Sequence, residues 1–265
     1  MNWIRKNIIM IVGMLVLFYM FIPVFVVIAL SFNEPKSRLT YTFDKFTLDN
    51  WLHPCSGAEA MCPSVMVSLK IGLLATIGAT ILGTLMAYAL MRYRFRGKGV
   101  ANLLLFLPMA SPEVVMGSSL LTLFVSASFP LGFWTILIAH IMFCLSFVVV
   151  TVKARLAGMD PRLEQAAMDL YANEWQTFRR ITLPLLAPGI ASAALLSFSL
   201  SFDDFIVTNF NSGSTVTFPM FVWGSAQRGI PPQVNVIGAG VFLIALAIVV
   251  IGQIVGARKR KALAA

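Results

Sequence analysis

Three carboxylates stand where charge is expensive. Asp203 and Asp204 are adjacent near the end of a long apolar run, and Glu113 follows Pro112 inside another. An ionised carboxylate in lipid is costly, so such residues face a polar interior, a partner or water. A pair of them attracts cations. A structural reading stands beside that one. Neighbours on a helix point about 100° apart, so the two Asp cannot face one pore equally, and the pair then caps or pairs at the membrane interface. Glu113 also has two readings. It lines a cation route where Pro108 and Pro112 free backbone carbonyls, or it belongs to a kinked gate that touches no solute.

Other chemistry is thinly represented. The chain has two histidines, His53 and His140, far apart in sequence, and no zinc-ligand spacing, so no metal site is expected. His140 lies in an apolar run and reads as a satisfied packing residue rather than a proton carrier. No G-x-x-x-x-G-K-[S/T] loop is present to cradle a nucleotide. A hydrolase or redox enzyme needs a convergent polar site, and the sequence displays none. Cys144 reads as packing. Cys55 and Cys62, in C-S-G-A-E-A-M-C, form a disulfide or remain two free thiols; no redox chemistry is inferred from them.

The elements that position these groups are membrane helices. Of 265 residues, 58% are hydrophobic and only 12% charged, against about 25% charged in soluble domains. Six apolar runs of spanning length read as helices over roughly 8–30, 65–90, 101–125, 133–152, 185–206 and 234–255. The first, carrying Pro23, reads as an uncleaved anchor rather than a signal peptide, since no small-residue cleavage site follows it. The predicted fold is an all-α polytopic membrane protein of one domain over 1–265, with an outer loop at 32–64.

Charge sets the orientation. Arg5 and Lys6, then Arg92, Arg94, Arg96 and Lys98, then Lys153, Arg155, Arg162, Arg179 and Arg180, then 258–261 fall on one side, making fifteen of the 20 basic residues. That excess places both termini on the cytoplasmic side. The +9 net charge is explained by topology, and no nucleic-acid partner is expected.

One cytoplasmic segment, 153–184, is polar and helical. Asp160-Pro161 reads as a helix start. Leu163, Ala166, Ala167 and Leu170 recur at helical spacing. Glu174 to Ile181 presents Trp175 and Phe178, and Pro184 and Pro188 are expected to interrupt the chain before the fifth span. The two short amphipathic helices either tile the protein's own end or dock a partner, and the large rings favour docking.

Here the chain resembles the permease subunits of bacterial binding-protein-dependent importers of the ATP-binding cassette class. Their pattern E-A-A, three residues, G, nine residues, I-x-L-P falls on Gln165-Ala166-Ala167, Tyr171, Ile181 and Leu183-Pro184. Gln165 replaces the acidic residue, with Glu164 adjacent, and Tyr171 replaces a glycine, although Tyr does not take positive φ cheaply. Leu200 to Phe210 and P-P-Q-V-N-V-I-G at 231–238 are similar to the second permease subunit of spermidine/putrescine importers.

The resemblance implies a six-helix type I importer permease. It implies coupling to an ATPase through Glu164, Gln165, Ala166, Ala167, Asp169, Tyr171, Trp175, Phe178, Ile181, Leu183 and Pro184, with Leu183-Pro184 ending the docking helices. It implies partners: a second related permease, two ATPase copies that bind ATP and Mg, and an extracytoplasmic binding protein. No cofactor belongs to this chain, which itself is not an enzyme. Asp203, Asp204 and Glu113 would then suit a polyammonium solute. Related importers of iron, thiamine, opines or phosphonates share such stretches. A non-transport scaffold, or an ion-coupled transporter without an ATPase, are the readings from other classes.

Overall fold

A computed structural model describes residues 2–264 apart from Arg38, Thr40 and Tyr41, with the side chains of 2–6 and 253–264 outside that description. Arg5, Lys6 and the 258–261 tail, all used in the charge count, therefore lie outside the described side chains. In chain order the helices are α1 (Asn2–Ser31), α2 (Asp49–Leu52), α3 (Met61–Arg92), α4 (Lys98–Ala110), α5 (Glu113–Ser126), α6 (Phe133–Ala157), α7 (Arg162–Asp169), α8 (Glu174–Thr177), α9 (Leu183–Asp203), α10 (Ile206–Asn211), α11 (Phe218–Ala226) and α12 (Pro232–Ala264). Among the described residues, one isolated bridge, Asn33 with Phe46, is the extent of β pairing.

Five of these helices are long and apolar enough to cross a membrane. The third expected span differs. It is two helices, α4 and α5, bent by 109° at their junction, and it completes a set of six only when the pair counts as one span. The break falls at Ser111-Pro112. Proline disfavours the helical region for the residue before it, and Ser111 is extended at φ −79° and ψ 139°. Pro108, expected to break the helix too, sits inside α4.

The chain clusters into two compact units, Met1–Cys62 with Val222–Ala265, and Pro63–Phe221. In the first, α1 packs along α12, with Phe21 edge-on to Phe242 at 6.4 Å. A polar knot surrounds α2. Asn50 Nδ2 donates to the carbonyls of Ser31 and Asn33 at 3.3 and 2.9 Å, while its Oδ1 accepts from Gln233 at 3.2 Å. Cys55 and Cys62 are joined in a disulfide whose Cα atoms are 5.6 Å apart.

In the second unit α6 is the central post. Its face of Ile136, Ala139, Phe143, Cys144, Val148, Val149 and Val152 is buried, and α9 packs along it. Close approach is needed where α3 crosses it: a Cβ on Gly83 would stand 2.6 Å from the Val148 side chain. Helix α10 packs against α5 and α6.

The expected fifth span starts earlier than the prolines suggest. Residues 178–182 form one π turn, so helix continues from Glu174 through Asp203. The Leu183 N–H reaches back five residues to the Phe178 carbonyl. Pro184 follows directly on this π turn, as the second residue of α9. Pro188 lies inside α9, and neither proline interrupts the chain.

Candidate functional site

Helix α7 is held by one buried acid. The Asp160 side chain accepts from the Arg162 N–H at 2.9 Å and so starts the helix. Glu164, 8% exposed, points inward. It pairs with Arg92 at 2.8 Å and accepts from Arg92 Nη2 at 3.0 Å and from the Thr182 hydroxyl at 2.8 Å. One carboxylate thus ties together the end of α3, α7 and the π turn. Glu164 therefore lies beneath the segment rather than on its exposed surface.

The exposed surface is the rest of the segment. Leu163, Gln165, Ala166, Met168, Asp169 and Leu170 are exposed, with Ala167 half-buried. No part of the second unit covers the apolar face formed by Leu163, Ala166 and Leu170. Tyr171 is 98% exposed and adopts φ +63°. The turn therefore keeps the left-handed geometry that glycine supplies, with Tyr bearing its cost. Asn173 then caps α8, exchanging bonds with Gln176 at 2.8 and 3.0 Å. Trp175, 65% exposed, stacks on the half-buried Phe178 at 5.9 Å. Phe178 meets Tyr88 edge-on at 5.0 Å. The Tyr93 hydroxyl donates to Glu174 at 3.0 Å, which pushes the Tyr93 phenol up from its ordinary range. Ile181 is half-buried, and Leu183 and Pro184 are exposed at the start of α9.

The three membrane acids separate. Asp204 is buried at the break between α9 and α10. It accepts from the N–H groups of Val207 and Thr208 at 3.3 and 2.8 Å and from the Thr208 hydroxyl at 2.8 Å. His140 Nε2 lies 3.3 Å from the same carboxylate and 2.9 Å from the Thr208 hydroxyl, and its Nδ1 lies 2.7 Å from Ser201. Every polar atom of His140 is satisfied, so a polar cluster does converge here although the sequence displays none. Its members are buried and join α6, α9 and α10. Asp203 points the other way and is exposed. Glu113 is exposed at the first residue of α5.

Sequence reasoning missed the Arg92–Glu164 and His140–Asp204 pairs because their members lie far apart in the chain and no local spacing relates them. Among the described residues, no cluster of three or more His, Cys, Asp or Glu could hold a metal.

Helices of membrane-spanning length, with a polar segment whose apolar face is left open, define a multi-pass membrane component. Residues 79–261 match the family described as binding-protein-dependent transport system inner membrane component, and the chain belongs to that family. It is 39% identical over 238 residues to spermidine/putrescine transport system permease protein PotC of Haemophilus influenzae, covering 89% of this chain and 91% of that one. It is 36% identical over 226 residues to putrescine transport system permease protein PotI of Escherichia coli K12, covering 82% and 79%. Its fold is similar to a chain of a bacterial ABC transporter that imports alginate, at TM-score 0.68 and 14% identity over 97% of this chain and 98% of that one.

Proposed function

We propose that this chain is the second permease subunit of an ATP-driven polyamine importer, multi-pass in a bacterial inner membrane with both termini cytoplasmic. The observation that carries the substrate class is the near-full-length similarity to permeases named for spermidine and putrescine. Two features of the molecule support it. Asp203 and Glu113 offer uncompensated exposed carboxylates to a polycation, as a route for spaced ammonium groups requires. The open face of α7 offers a docking surface at the end where the basic loops cluster.

The mechanism is alternating access. An extracytoplasmic binding protein delivers the polyamine to a core of this chain and a related permease. Two ATPase copies, which hold the ATP and Mg, close and reopen against that core. Gln165, Ala166, Ala167, Leu170 and Tyr171 seat in an ATPase groove, and Trp175 and Phe178 brace it. Glu164 transmits the movement: α7 cannot shift without pulling Arg92 at the end of α3 and Thr182 at the root of α9. The continuous helix from Glu174 to Asp203 then carries that movement to the acidic end of α9.

The test is uptake of labelled spermidine into vesicles holding the reconstituted complex. ATP-dependent uptake that falls in Asp203→Asn and Glu113→Gln supports the reading. Transport of another solute class, with spermidine ignored, overturns the substrate assignment.

A further inference from the structure

At the end of the second unit that carries α7, aromatic rings and one carboxylate line a cavity of about 310 Å³. Tyr88, Tyr93, Trp175 and Phe178 supply the rings, Leu85 closes the apolar side, and Glu174 supplies the charge. Phe178 is the hub, edge-on to Tyr88 and stacked on Trp175, and Tyr88 stands edge-on to Tyr93 at 6.2 Å. Glu174 accepts a bond from the neutral Tyr93 hydroxyl, and none of the ion pairs among the described residues includes it. Arg92, the cation at the end of the neighbouring helix, is engaged by Glu164.

Ring faces attract a cation within about 6 Å of the centroid, and the attraction grows as water is excluded. A carboxylate on the same wall adds a full negative charge. Aromatic carbon does not ligate a metal ion, an anion is repelled by Glu174, and a neutral apolar ligand leaves that carboxylate unused. The volume is at the small end for ligand pockets, which run from about 300 Å³.

We propose that this cavity binds an organic ammonium group, at a site distinct from the Asp203 and Glu113 route. Binding itself does not depend on the importer reading; its consequence does. With α7 on the cytoplasmic side, the ammonium that reaches this cavity is polyamine already imported. Trp175 and Phe178 belong at once to the cavity wall and to the docking segment. A bound amine stiffens their junction and signals accumulation to the coupling loop. The same chemistry is offered by the ammonium headgroup of phosphatidylethanolamine.

The test uses the full transport complex without its binding protein, in lipid discs of phosphatidylglycerol alone, titrated with putrescine by calorimetry. The expected result, in complexes that all carry Asp203→Asn so that the route's acid is absent, is saturable binding that weakens about tenfold when Glu174→Gln or Tyr88→Leu is added, a tenfold change being 1.4 kcal/mol. Replacing part of the lipid with phosphatidylethanolamine separates the sources. Competition with putrescine identifies the headgroup as a ligand of the site, and no competition identifies the free amine. Undiminished binding in both Glu174→Gln and Tyr88→Leu overturns the proposal. So does the absence of saturable binding. Those failures leave spermidine uptake by the wild-type complex untouched, whereas failed uptake with intact putrescine binding refutes the importer reading alone.

Discussion

Arg92 and Glu164, 72 positions apart, meet as a buried ion pair at 2.8 Å where α3 ends and α7 begins. Their side chains are 17% and 11% exposed, so neither charge is well hydrated alone. Removing one partner of such a pair costs about 3–5 kcal/mol, while replacing both with apolar groups is often nearly neutral. Glu164→Ala is therefore expected to speed amide exchange in α7 and to weaken retention of the ATPase during purification. The double variant Arg92→Met with Glu164→Leu should recover most of the lost protection. Equal protection in wild type and Glu164→Ala would remove the pair from the account.

Tyr171 tests the turn between α7 and α8. Left-handed geometry costs an ordinary residue about 1–2 kcal/mol, and glycine returns roughly 0.5–1 kcal/mol of that through its freer unfolded chain. Tyr171 is almost fully exposed, so little packing is lost on substitution. Thermal stability should rank Tyr171→Gly above wild type by about 0.5 kcal/mol, and Tyr171→Val below both. A Val variant as stable as wild type would mean that the positive φ carries no strain.

Asp203 and Asp204 should fail in different ways. Asp204→Asn removes a charge that accepts bonds from Val207, Thr208 and the His140 cluster, and hydrogen bonds to charged groups contribute about 2 kcal/mol each. Its melting temperature should fall, with uptake falling in proportion to folded protein. Asp203→Asn should keep its melting temperature and lose uptake. The reverse pattern would exchange the roles assigned to the two acids.

Much of this arrangement was legible in the residues. Hydropathy reveals each long helix, because lipid demands an apolar surface and internally satisfied backbone. Pro112 marks the break between α4 and α5, and Asp160 marks the start of α7. The π turn at 178–182 was not legible: it lets a helix run into Pro184, where proline chemistry alone suggests a stop. Position 171 was half legible, since the family resemblance implied a turn there but could not say whether Tyr would accept positive φ. The choice between Asp203 and Asp204 required the α9–α10 break, which turns one side chain inward and leaves the other out.

The Cys55–Cys62 bridge closes a short loop beside α2. By the chain-entropy relation, a loop of that length contributes about 2–3 kcal/mol. Mass spectrometry under non-reducing conditions should find the two thiols joined. The double Ser variant should unfold at a lower temperature, by an amount that reductant reproduces in wild type. Two free thiols in freshly purified protein would remove the bridge.

The most direct measurement is ATP hydrolysis by the reconstituted complex with its binding protein, with and without spermidine, comparing wild type with Ala167→Arg on the open face of α7. The account predicts spermidine-stimulated hydrolysis accompanied by uptake in wild type, and loss of ATPase association or of that stimulation in Ala167→Arg. Full association and stimulation in Ala167→Arg would contradict the coupling role of α7. Hydrolysis in wild type that is indifferent to spermidine but coupled to another solute would contradict the polyamine assignment.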